Sequence, residues 1–68
     1  MNAAAIAKLA DDEQIARNLA GDALFEAREL AAAGSSVPLE LTMQLDALQR
    51  HADVLSRLRT QLEAEVPS

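Results

Sequence analysis

Few side chains in this 68-residue sequence have the types and spacing to do chemistry. His51 is the only histidine, and Asp53 stands two residues on. Residues two apart on a helix point in different directions, so the two form no proton relay and His51 reads as a flank residue. Asp11-Asp12-Glu13 is the densest acidic run. A calcium loop needs a glycine and a twelve-residue ligand spacing that this run does not have. It reads instead as a solvated helix start whose charges suit the N-terminal dipole. The Glu-x-x-His spacing of bundle di-iron centres is missing, and Gly21 and Gly34 stand alone, so no glycine-rich loop cradles phosphate. Cysteine is absent, which removes thiolate metal sites, disulfides and thiol nucleophiles together and fits a reducing compartment. The sequence thus predicts no catalytic, metal-binding or cofactor-binding residues and disfavours an enzyme.

What remains is a question of scaffold. Fifteen residues are Ala and eleven are Leu, while Phe25 is the only aromatic. Strand-based folds need β-branched and aromatic runs separated by frequent turns, so the expected class is all-α. A chain of this size buries only about 60% of its unfolded surface and is marginal without disulfides, metal or a partner. The net charge of −5 disfavours nucleic acid, whose recognition needs a basic stripe. The longest apolar stretch, Ala3 to Ala10, is interrupted by Lys8 and falls far short of the about 20 residues that cross a bilayer. No membrane insertion is expected, and no cationic start with an apolar run predicts a secretory signal.

One breaker region, Gly34-Ser35-Ser36-Val37-Pro38, divides the chain. Gly34 suits the left-handed residue that ends a helix, Ser35 or Ser36 suits the cap of the next, and Pro38 suits its first turn. So short a connection predicts an antiparallel two-helix hairpin: a helix over about 12–33, a turn over 34–37 and a helix over about 38–65. Asp11 or Asp12 is the expected N-cap of the first helix, with Gln14 completing a capping box after Asp11. Asp12 and Glu13 would otherwise fall on the apolar face, so residues 1–11 are expected as a short helical arm or a frayed extension. Gly21, inside the first helix, either permits close helix approach or marks a kink.

On a helical wheel Ile15, Ala16, Leu19, Ala20, Ala23, Leu24, Ala27, Leu30 and Ala31 share one half of the first helix, with Phe25 projecting from the polar side. In the second helix Leu41, Leu45, Leu48, Ala52, Leu55, Arg59, Leu62 and Val66 step by four and three, a seam of coiled-coil period. Arg59 is the anomaly in it, either snorkelling at the open end or pairing with a carboxylate across an interface. Asp46/Arg50 and Asp53/Arg57 are i,i+4 pairs in the favourable order. A second row, Met43, Ala47, Val54 and Leu58, widens the apolar arc beyond what one packed face requires. Either row is long enough to face inward. The expected hairpin core is Leu19, Leu30, Leu41, Leu45, Leu48, Leu55 and Leu62. The expected partner-binding residues are Leu24, Phe25, Met43, Ala47, Val54 and Leu58, since a contiguous exposed apolar patch marks an interface.

The segment Ala23-Leu24-Phe25-Glu26-Ala27-Arg28-Glu29-Leu30-Ala31-Ala32-Ala33-Gly34, followed by Leu45-Asp46-Ala47-Leu48, resembles the small YscE/PscE-type proteins of bacterial type III secretion. The likeness covers residues 15–62. It implies a co-chaperone in the bacterial cytoplasm. Such proteins pair with a tetratricopeptide-like chaperone, and the two hold a needle subunit monomeric before export. Covering the end of a helical-repeat partner, as an atypical capping repeat does, is a role that a hairpin with surplus apolar surface can fill. The alternative expectation is a homodimeric four-helix bundle, an adaptor or regulator whose outer row packs on a symmetry mate.

Overall fold

The computed structural model describes residues 3–65 as two long antiparallel helices, α1 (Ala3–Ala32) and α2 (Leu39–Glu65), with no strand among them. The all-α hairpin expected from the breaker region is the observed fold. It is a rod 53 Å long and 14 Å across in each other direction.

The turn is built by backbone chemistry. Gly34 has φ of 77°, a left-handed conformation that a Cβ would strain. Its N–H donates to the Ala31 carbonyl at 3.0 Å, and the Ser35 N–H donates to the Leu30 carbonyl at 2.9 Å. This six-to-one and five-to-two pattern is a Schellman motif, and it satisfies two carbonyls that the end of α1 would leave orphaned. The start of α2 corrects two expectations. The helix opens at Leu39, so Pro38 is its N-cap and not part of its first turn. The Pro38 carbonyl accepts bonds from the Leu41 and Thr42 N–H groups at 3.1 and 3.2 Å. Ser35 and Ser36 lie two or more residues before the cap, and neither side chain hydrogen-bonds an N–H of α2, so neither is the cap.

The first helix differs from expectation in its start and in its face. It runs without a break from Ala3, through the acidic run, to Ala32, so no separate arm precedes residue 12 and neither Asp11 nor Asp12 is an N-cap. Its inward positions are Ile6, Leu9, Glu13, Ala16, Ala20, Ala23, Ala27 and Leu30, which step by three and four as the seam of α2 does. All are buried or half-buried. Ala16, Ala20 and Ala23 are the most covered of these, at 3%, 7% and 5% exposure. Facing them, Leu41, Ala52 and Leu55 are buried, and Leu45, Leu48 and Leu62 are half-buried. Val66, the last member of the α2 seam, lies outside the described residues.

The alanine stripe sets the geometry. A side chain of one methyl lets the two helix backbones approach closely, and larger residues are displaced to the flanks. Ile15 and Leu19, expected in the hairpin interface, are accordingly 57% and 49% exposed. Leu19 is therefore not a core residue, and Ala31 is also exposed. Gly21 is not placed there for close helix approach. A Cβ built there meets nothing within 4 Å, so no close approach demands glycine, and α1 continues through it.

Candidate functional site

The seam is closed at one level by charge. Glu13 of α1 and Arg59 of α2 face each other across it, with the Glu13 Oε1 accepting bonds from Arg59 Nε and Nη2, both at 3.3 Å. The other carboxylate oxygen accepts from Arg17 Nε at 2.9 Å. Arg59 also donates to Glu63 at 3.0 Å, and Arg17 approaches Asp53 at 3.7 Å. The result is an alternating chain, Glu63–Arg59–Glu13–Arg17–Asp53, that joins the helices at two places. Hydrogen bonding from Arg17 holds the Glu13 carboxyl below its ordinary pKa. Partial desolvation opposes that, and Arg59 adds to the lowering. Arg59 therefore neither snorkels to solvent nor waits for an intermolecular carboxylate. Its partner is the same acidic residue that argued for a break in α1. Asp46 and Arg50 pair at 2.9 Å. Asp53 turns to Arg17 across the hairpin, so its expected bridge to Arg57 does not form.

With the seam fixed, the rod has two broad faces and two outer edges. On the first face, Asp12, Ile15, Leu19, Leu48 and His51 line a shallow groove between the helices. Val54 and Leu58 follow His51 by three and seven residues and so continue this face along α2. Ile15, Leu19, Val54 and Leu58, between 44% and 57% exposed, form its apolar centre. The second face carries the groove lined by Arg17, Ala20, Gly21, Leu24, Gln49 and Ala52. Phe25 and Met43 point from the outer edges, opposite the seam on their own helices, and are 66% and 62% exposed.

The residues expected to bind a partner are thus divided. Val54 and Leu58 lie on the first face, and exposed Ala47 follows one heptad before Val54. Leu24 is half-buried on the second face. Phe25 and Met43 belong to opposite edges and to neither face, so the six do not form one patch. Ile15 and Leu19 complete the first face instead. Reading α1 for the seven-residue repeat used on α2 would have found them, because that repeat places Glu13 opposite Arg59 and moves both residues outward.

Charge is divided as sharply as apolar surface. Heptad spacing from Ile15, Leu19, Val54 and Leu58 puts Asp12, Asp22, Glu26, Glu29, Glu40 and Glu65 on the first face, with Lys8 as its one cation among the described residues. The second face balances Arg17 and Arg28 against Asp46, Asp53 and Glu63, and the outer edges set Arg50 and Arg57 against Asp11. The first face alone accounts for a charge equal to that of the whole chain.

For chemistry the geometry provides little. His51 opens into the first groove while Asp53 bonds Arg17 on the second face, so the two do not meet. Among the described residues no group of three His, Asp or Glu side chains is placed to hold a metal ion, and no helix is long and apolar enough to cross a membrane. No protein-family model matches the chain, and no curated protein or solved structure matches it.

Proposed function

We propose that this chain is a non-enzymatic interaction subunit, a helical hairpin completed by another protein. The observation that carries this reading is a mismatch between what the hairpin buries and what it leaves outside. Among the described residues four of the six that are buried are alanines, whereas Ile15, Leu19, Phe25, Leu39, Met43, Val54 and Leu58 are between 44% and 72% exposed. Fully burying a side chain of their size is worth about 1.5–3 kcal/mol, far more than an alanine methyl supplies. A large share of the apolar surface of this sequence therefore lies where the hairpin itself does not cover it.

The resemblance to type III secretion co-chaperones gives the proposal its specific form. The hairpin would cover the end of a tetratricopeptide-like chaperone in the bacterial cytoplasm, and the pair would hold a needle subunit before export. Two antiparallel helices are the same unit that such repeats stack, so the hairpin suits a capping position. A second reading, a homodimeric four-helix-bundle adaptor, is favoured by the mixed charge of the second face. There Arg17 and Arg28 offset all but one of the charges of Asp46, Asp53 and Glu63, so a second copy meets far less repulsion than it would on the first face.

Thermal unfolding and sedimentation of the purified chain at several concentrations separate these. The interaction-subunit reading expects a low, broad transition that sharpens and rises in complex with the partner. A clean dimer favours the second reading. A sharp, concentration-independent transition of a monomer contradicts both.

A further inference from the structure

We infer that the first face binds an amphipathic helix of another protein whose apolar stripe is flanked by lysine or arginine. This rests on the interaction reading above and names the chemistry of the partner. The apolar centre, Ile15, Leu19, Val54 and Leu58, has the spacing that receives anchors repeating at three, four and seven residues. Beside it, the shallow groove between Leu19, Leu48 and His51 offers about 230 Å³ of open space against which an apolar side chain can lie. A partner helix of about 20 residues runs about 30 Å, more than half the length of the rod.

The rim decides which helix fits. Four carboxylates, Asp12, Asp22, Glu26 and Glu65, lie within two helical turns of this centre, Glu29 and Glu40 stand farther along the same face, and its one lysine, Lys8, is itself paired with Asp12 at 3.6 Å. A second copy of the chain would bring the same acidic rim, and like-charge juxtaposition works against that pairing. The second face and the outer edges carry mixed charge, so the requirement for a basic partner is particular to this one surface. Complementary charge also steers encounter and suppresses wrong partners, which an apolar patch alone does not.

Two synthetic amphipathic peptides test the inference on the full chain. Both carry the same leucine stripe and one tryptophan, with lysines flanking the stripe in one and glutamates in the other. The chain has no tryptophan, so peptide fluorescence reports binding without background. The lysine peptide is expected to bind at least about tenfold more tightly at low salt, with the difference shrinking as ionic strength rises. Leu19→Ser and Leu58→Ser should each weaken it by about tenfold, while Met43→Ser on the outer edge leaves it unchanged. Circular dichroism of each variant checks that the helices persist. Equal affinity for the two peptides overturns the inference and leaves the interaction reading in place. Binding of neither peptide also overturns it, and the melting experiment above then decides the interaction reading separately. A tight dimer dissolved by Leu58→Ser assigns the face to a second copy and overturns it as well.

Discussion

Glu13 and Arg59, 46 residues apart in sequence, meet across the hairpin seam with two bonds of 3.3 Å. Every other inward position of the described helices is apolar, so this is the one level at which the seam is marked. A shift of one heptad would set Arg59 against Ile6 or Ala20 and leave Glu13 without a cation opposite it in the seam. An alanine–leucine seam by itself tolerates such slips, since neighbouring heptads look alike. The Gly34 turn sets the register at one end of the hairpin, and the ion pair supports it about 20 residues away.

A double-substitution cycle tests this. Arg59→Leu alone should destabilise the hairpin, because it leaves Glu13 in the seam without its partner across the interface. Glu13→Leu together with Arg59→Leu should restore or exceed the original urea midpoint, since a continuous apolar seam replaces a partly desolvated pair. Amide spectra of the double variant should show a single register held by the Gly34 turn, with added line broadening confined to the end of the hairpin far from it.

Acid should act through the same residue. The folded-state pKa of Glu13 lies below the ordinary value of 4.5, so its contribution is present above that value and is lost as pH falls through the folded pKa. Melting temperatures of the chain and of Glu13→Gln should therefore differ by a constant amount at neutral pH and converge in acid. Parallel curves down to low pH would remove Glu13 from the account.

The two glycines should respond in opposite directions. Gly21 is helical with open space around its Cα, so Gly21→Ala should stabilise by up to about 1 kcal/mol. Gly34 has positive φ, so Gly34→Ala should destabilise by about 1 kcal/mol even though space is equally open there. Denaturation midpoints of the two variants, measured against the parent chain, read this directly.

The hairpin and the α2 seam were legible because their signals are directional. Gly34 has a conformational reason to end a helix, and leucines at four and three residue steps point one way on a helix and no other. Alanine carries no such weight. Placing Ile15 and Leu19 by a wheel drawn on α1 let the large side chains choose the face, whereas in the folded hairpin Ala16, Ala20, Ala23 and Ala27 choose it by allowing close approach. The same misreading turned Glu13 into evidence for a break and Arg59 into an anomaly. Each made the other look wrong, and neither could be understood without the long-range pairing that joins them. Val54 and Leu58 were visible as surplus apolar surface, but their neighbours on the exposed face belong to the other helix. No local pattern connects residues across a hairpin.

The central claim is that Ile15, Leu19, Val54 and Leu58 form a surface for a partner and not part of the hairpin's own core. Replacing Ile15 and Leu58 by serine together, and following helicity and thermal unfolding of the free monomer, tests it most directly. The account predicts that helicity is retained and that stability changes by no more than about 0.5 kcal/mol per site. Loss of helical structure in the free chain would show that these side chains hold the fold together and would contradict it.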